Sequence, residues 1–274
     1  MSLNTLPAPL APPTPTPAGR PSLARRAARA TADWVDLQWS HLLTALRKAA
    51  PRARGRLLDV GCGNKPYEEF FGPHVSEYVG IEHESTFHFT DAGGRGGKGP
   101  DYLYDGTRLP FDDRSFDTVL NVQVLEHTPR PGPLVAEMAR VLADGGLLIL
   151  TAPFDFRLHE EPYDFFRYTP HGLRQLCAEA GLEVIHCEPQ GGLWGVMGHK
   201  LNTYLGLRVG RVAGLAQGLG KHGHEATTAE RPRWWVLPVV APLMLAIALG
   251  ARVLDWLLPD PQEALSFLIV ARRA

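Results

Sequence analysis

With 274 residues, a formal net charge of −1 and 21% charged side chains, the chain can bury one sizeable core with length to spare. A nearly neutral chain gives no electrostatic reason to expect nucleic-acid binding. Its three cysteines, Cys62, Cys177 and Cys187, are an odd, sparse set without C-x-x-C spacing and read as reduced thiols in a cytosolic enzyme rather than a disulfide frame or zinc site.

Residues 6–21 carry seven prolines among Ala and Thr, so residues 1–22 are expected to form a disordered tail rather than the apolar stretch of a signal peptide. From about 23 to 50 the pattern turns helical. Val35, Trp39, Leu42, Leu43 and Leu46 share one face, predicting a helix over the sheet edge. Arg20, Arg25, Arg26 and Arg29 precede that face. They read as solvated charges or as a basic contact to an anionic membrane surface.

Leu57-Leu58-Asp59-Val60 then reads as a buried strand, followed by a turn at Gly61 and Gly63 and a helix start at Pro66. A glycine turn lets the backbone approach a ligand closely while helix N–H groups face it. Glu82 ends the next apolar segment, about 20 residues on, the spacing at which an acid meets ribose hydroxyls in doubly wound folds. Asp105 lies in Tyr-Asp-Gly-Thr-Arg-Leu-Pro-Phe (104–111), and residues 115–127 read Ser-Phe-Asp-Thr-Val-Leu-Asn-Val-Gln-Val-Leu-Glu-His.

Over roughly residues 55–190 these four motifs together resemble a class I S-adenosylmethionine-dependent methyltransferase of the type-11 group. The resemblance implies a doubly wound α/β fold with a seven-stranded, mostly parallel sheet. Its last strand would be antiparallel and inserted between strands five and six. The implied cofactor is S-adenosyl-L-methionine, with S-adenosylhomocysteine as product. Asp59 would sit near the cofactor's methionine amino group, and Gly61, Cys62 and Gly63 would form the backbone cradle. Glu82, with His83 beside it, would accept from the ribose hydroxyls, Asp105 and Gly106 would meet the adenine, and Asn121 and Gln123 would approach the methionine end.

Strands are expected near 56–60, 77–82, 101–104, 116–121, 145–151, 182–188 and 265–271, with helices near 66–71, 131–143 and 170–180. The segment 153–170 follows strand five, where loops face the ligand crevice. It supplies the candidate catalytic residues His159, Asp164, Arg167 and Tyr168, to which His127 is added from the end of strand four. His159 is the preferred base. His127 is either a base or a loop-orienting group, and Arg167 either grips an anionic group of the acceptor or pairs with Asp164. No metal site is expected. The glycine-rich 93–99 lacks phosphate-loop spacing, and His222 and His224 stand without further ligands.

Residues 191–262 form an insertion between strand six and a final strand in 263–274, so the methyltransferase core with its N-terminal helix spans 23–190. Trp234–Ala251 is an uncharged run of 18 residues, long enough to be a transmembrane candidate. A single crossing conflicts with the last strand returning to the sheet, and Pro238 and Pro242 disfavour a plain straight helix. Three readings remain: an interfacial or re-entrant element, a helical hairpin with 193–219, or a lid. Lys200, Arg208 and Arg211 lie largely apart from Leu201, Leu205, Val209 and Val212, as in helices lying on a surface.

The function expected from all this is methyl transfer to an oxygen of a glycan, lipid-linked or other hydrophobic small molecule. The enzyme would be cytoplasmic and peripheral at the cytoplasmic membrane. A non-catalytic cofactor-binding or scaffold protein at a membrane is the alternative. Amino-group methylation of protein or nucleic acid is disfavoured, because Asn121-Val122-Gln123-Val124 is not an Asn/Asp-Pro-Pro-Tyr/Phe-type motif. Nothing in the sequence speaks to oligomeric state.

Overall fold

The structure is a computed structural model that describes residues 30–85, 99–209, 234–260 and 262–274. The expected Pro-rich tail, the start of the N-terminal helix, Arg211, Val212, His222, His224 and nearly all of the 93–99 loop lie outside the described residues.

Seven strands form one sheet: β1 (Arg56–Val60), β2 (Glu77–His83), β3 (Tyr102–Tyr104), β4 (Phe116–Val122), β5 (Leu142–Pro153), β6 (Leu182–Gln190) and β7 (Ser266–Arg273). Their order is β3-β2-β1-β4-β5-β7-β6, with β7 antiparallel to both neighbours, as the resemblance implied. The central strands are continuous apolar runs because both faces of the sheet are covered. Alternation along β1 divides them: Leu58 and Val60 pack under α3 (Pro131–Val141) and α4 (Pro170–Glu179), while Leu57 faces α1 (Leu37–Ala49).

Three details differ from the sequence reading. The N-terminal helix is interrupted at Asp36, whose Oδ1 accepts from Trp39 N–H at 3.1 Å and so restarts the helix as α1. The expected 66–71 helix is only α2 (Glu68–Phe71). Lys65 adopts φ 54°, and Gly72–His74 tightens into a single 3-10 turn, leaving little helix dipole to aim at a ligand. Helix α3 ends at Val141, two residues short, because β5 begins at Leu142 and its ladder with β4 carries an irregularity between Phe116 and Thr118.

The insertion departs most from a single expectation. Helix α5 (Leu193–Tyr204), extended by a π-helical turn at Leu205–Val209, packs against α6 (Leu237–Leu257), which is the helical-hairpin reading. Contrary to expectation, α6 runs unbroken through both prolines. Pro238 lies in the first turn, where its missing N–H is harmless, and only Pro242 removes an internal hydrogen bond. The helices approach closely at Gly198, where a Cβ would lie 2.8 Å from both Ala251 Cβ and Leu37 Cδ1.

Polar contacts lock the hairpin to the domain. Asp255 of α6 accepts from the N–H groups of Gly192, Trp194 and Gly195, capping the start of α5 at 3.0–3.2 Å. Arg252 stacks over Trp34 and donates to Trp34 O and Ser40 Oγ, both at 2.6 Å, holding the break at Asp36. By length and composition α6 could cross a membrane, yet 22% of its most apolar stretch is buried in the protein. The buried stripe is Val240, Met244, Ala248 and Ala251.

Candidate active site

The site lies at the C-terminal ends of β1 and β4, where the strand order reverses direction, the place at which doubly wound sheets bind ligands. Val60 passes into Gly61 and Gly63, both at positive φ (75° and 51°). A Cβ on Gly61 would come within 2.5 Å of Val124, so only glycine lets the turn close against the β4 exit. The Gly63 N–H donates to Glu82 Oε2 at 2.7 Å, and His83 N–H donates to Oε1 at 3.0 Å. The acid at the β2 tip is thereby tied directly to the glycine turn.

Asp59 is buried beneath this turn and accepts from the Tyr78 hydroxyl at 2.5 Å. Burial raises its pKa to about 7, with the Tyr78 hydrogen bond opposing the rise and the Glu82 charge adding to it. His83 packs on the next turn: a Cβ on Gly106, at φ 82°, would meet its Nε2 at 2.7 Å, and its ring meets Tyr104 edge-on. Asp105 is exposed. Its Oδ1 accepts from Thr107 N–H (2.9 Å) and Oγ1 (2.6 Å), and these bonds lower its pKa.

Three expected contacts are used differently. The Cys62 side chain turns inward and packs with Lys65 across Gly80, so only its backbone belongs to the cradle. Burial, then Asp59, holds its thiol pKa well up. Asn121 is fully buried and donates to Val60 O at 3.0 Å, bracing the end of β1. Gln123, at φ 55°, donates to Thr151 Oγ1 at 3.2 Å. Two braces were not foreseen. Lys65 pairs with Asp101, which also accepts from Gly80 N–H, and Tyr78 holds Asp59.

The loop after β5 folds back over the turn Leu125–His127. Arg167 spends all five of its N–H donors within it: on both oxygens of Asp164 (2.6 and 2.8 Å) and on the carbonyls of Phe156, Arg157 and Phe166. Of its two expected roles the structure has the bracing one, and no donor is left for an acceptor anion. Burial opposes the charge on Asp164, but Arg167 and the His159 N–H outweigh it and hold the pKa at about 2. Tyr168 is likewise structural. Its hydroxyl donates to Leu125 O at 3.1 Å, and burial pushes its pKa up.

His127 and His159 do meet, with ring centroids 4.7 Å apart. Burial, and then His127, lowers the His159 pKa to about 4, so its imidazole is neutral and a weak base at neutral pH. The residue overlooked in the sequence is Glu126. It is fully buried, with its pKa raised by burial to about 7 and its Oε1 3.9 Å from His127 Nε2. Its presence in the Leu-Glu-His run was visible; its burial was not. Phe156 lies edge-on to His159 and stacks on His199 of α5, joining this cluster to a cleft of about 360 Å³. Asp155 and Arg157 line one side of that cleft, and Lys200, Thr203 and Tyr204 of the hairpin line the other.

Comparison with known proteins agrees with this architecture. Residues 58–150 match the family model described as a methyltransferase domain. An uncharacterised methyltransferase of Mycobacterium marinum is 40% identical over 96 residues, covering 35% of this chain and 38% of that protein. One of Mycobacteroides abscessus is 38% identical over 118 residues, covering 40% and 46%. The matches thus span less than half the length of these relatives. A solved S-adenosylmethionine-dependent methyltransferase of Mesorhizobium loti aligns with a TM-score of 0.48 at 15% identity, over 86% of this chain and 98% of that one. The family match marks residues 58–150 as a methyltransferase-type domain, lying in a Rossmann-like sheet whose β7 runs antiparallel between β5 and β6.

Proposed function

We propose that the chain transfers a methyl group from S-adenosyl-L-methionine to an oxygen of a glycan, lipid-linked or other hydrophobic small molecule. The observation that carries the cofactor half is the bond between Gly63 N–H and Glu82: it fixes an acceptor-only carboxylate against a cradle that a Cβ at Gly61 would fill. The cofactor supplies a sulfonium-bound methyl group. Glu82 would hold the ribose hydroxyls, the backbone of Gly61–Gly63 would admit the methionine portion, and Asp59 would meet its amino group. The exposed Asp105 keeps Oδ2 available beyond its Thr107 turn.

Methyl transfer needs the acceptor oxygen aligned, water excluded and a proton removed. The 153–170 loop, held by Arg167, supplies alignment. We place removal of the acceptor's proton at the Glu126–His127–His159 cluster. The hydrophobic character of the acceptor is inferred from the hairpin, whose α5 lines the cleft and which presents Met197, Leu201, Val239, Leu243, Leu249, Val253 and Trp256 to solvent. We propose that this face rests on the cytoplasmic membrane, placing the enzyme at its surface.

Calorimetric titration with S-adenosylmethionine, followed by metabolite comparison of cells with and without the protein, tests the reaction. Binding and a product heavier by one methyl group are expected; absence of binding overturns the reading. Co-sedimentation with phosphatidylglycerol vesicles tests the surface. The double variant Leu249→Glu, Val253→Glu should stay in the supernatant, and a wild-type protein that does not sediment would remove the membrane from the proposal.

A further inference from the structure

We infer that Glu126, His127 and His159 form a binding site for one divalent transition-metal ion of the zinc type. Nothing in the sequence spacing suggests it. Glu126 and His127 are adjacent on the turn after β4, and His159 arrives 32 residues later from the loop after β5. The fold brings one potential ligand atom from each within 4.8 Å of the others.

Glu126 carries the argument. It is 0% exposed, and among the described residues neither of its carboxylate oxygens has a hydrogen-bond partner. A buried carboxylate without partners is strongly disfavoured unless a cation balances it or a proton neutralises it. The charged groups around it are His127, with Nε2 3.9 Å from its Oε1, then Glu160 and Arg167, whose five donors are all spent elsewhere, with the ring of His159 beyond. An ordinary structural acid would have found N–H donors, as Asp164 and Asp255 do a few ångströms into their own surroundings.

The histidines are arranged as ligands. His127 Nδ1 lies 2.9 Å from Tyr163 O, leaving Nε2 directed at Glu126 and at Glu160, whose Oε2 is 3.5 Å away. His159 Nδ1 lies 3.2 Å from Arg157 O and 3.3 Å from Asp164 Oδ2. With Nδ1–H donated outward in both rings, each Nε2 keeps its lone pair. A carboxylate or carbonyl behind a histidine is the arrangement that orients metal-bound imidazoles. Arg167, by fixing Asp164, therefore orients His159 as well. Two imidazoles and one carboxylate suit a zinc-type ion with an open position, beside which Glu160 stands. The two rings are 16% and 13% exposed, which leaves a path for the ion to enter.

The inference concerns the ion alone, so its test omits cofactor and acceptor. The full-length protein, stripped with chelator, is titrated with zinc chloride and its metal content counted after gel filtration. One equivalent is expected. A cobalt(II) titration should give a visible absorption band that zinc displaces. Glu126→Gln keeps the shape of the buried group and should weaken zinc binding by more than about 100-fold. S-adenosylmethionine affinity should stay unchanged in that variant. A variant lacking His222 and His224 should keep its full equivalent. If Glu126 were merely a buried acid, Glu126→Gln would leave metal content untouched and at most raise thermal stability. A wild-type protein that emerges without zinc, or Glu126→Gln and His159→Gln variants that both retain it, overturns the site.

Discussion

The proposed cofactor side and the proposed acceptor side of this crevice are built by opposite means. On the cofactor side, each functional group sits at the tip of its own strand or in the turn after it, and backbone amides hold the acid: Gly63 and His83 N–H on Glu82. On the acceptor side, no strand tip decides the geometry. One guanidinium, Arg167, ties an 18-residue segment to itself, and through Asp164 sets His159. A site made of strand ends inherits its accuracy from the sheet, whereas a site made of loop inherits it from a single buried ion pair. The first should fail by backbone strain and the second by loss of one side chain.

The largest effect is expected from Gly61→Val. It adds a Cβ 2.5 Å from Val124 at a φ of 75°, a conformation β-branched residues avoid. Cofactor affinity should fall by more than ~100-fold and the melting temperature should drop, measured by calorimetry and thermal melting. Near-native affinity would show that the turn is not the cradle.

Arg167→Ala is the matching change on the other side. It leaves the buried Asp164 carboxylate without its cation and with only the His159 N–H, at a cost on the order of 3–5 kcal/mol if the loop stays closed. The loop should open instead. Turnover should be lost while cofactor affinity holds within a few-fold, and Arg167→Lys should not rescue it, because an ammonium cannot reproduce the five-donor fork. A parallel loss of cofactor affinity would mean that the two sides are one unit.

The same contrast explains what could be read in advance. Strand boundaries in β1, β2 and β4, the glycine turn and Glu82 were legible because each is local: an apolar run, a residue allowed at positive φ, an acid at a fixed offset. Asp59 and Asn121 were identified as site residues, but their burial and their partners Tyr78 and Val60 O come from neighbouring strands. Glu126 was passed over for His127 beside it, because sequence shows a residue's type and not whether donors reach it. Arg167 was left between two roles for the same reason. The hairpin's pairing was one of three readings, since an apolar run of 18 residues is equally compatible with lipid and with a partner helix; Gly198, Asp255 and the Asn202 amide on Met244 O decide it.

A graded effect follows from Asp59. Burial, chiefly, raises its pKa from 3.8 to about 7, so its protonated form is the one the folded, ligand-free protein favours. The sign is therefore the reverse of the usual carboxylate. Its contribution to stability is fully present below pH 3.8 and is lost as pH rises through about 7. A cationic amino group on the cofactor needs the ionised form. Affinity should then rise about tenfold per pH unit below pH 7 and level off above it, measured by calorimetry between pH 5.5 and 8.5. Tyr78→Phe removes a hydrogen bond that lowers the pKa and should move the plateau to higher pH. Asp59→Asn should abolish the pH dependence while leaving the ligand-free protein at least as stable at pH 8. A flat profile in the wild type would place the amino group elsewhere.

The smallest effect tests whether the hairpin belongs to either side. Asp255 accepts three N–H groups at the start of α5 but touches neither Glu82 nor the His159 loop. Asp255→Ala should cost about 1–2 kcal/mol of stability, the magnitude of losing a helix cap, and lower the melting temperature by a few degrees. Cofactor affinity should not change. Because α5 lines one wall of the cleft with Lys200, Thr203 and Tyr204, the variant should instead raise the KM for the acceptor. An unchanged KM would leave the hairpin only the membrane role proposed for it, with no part in choosing what is methylated. An unchanged melting temperature would mean that the Asn202–Met244 O bond and the packing at Gly198 suffice to hold the helices together.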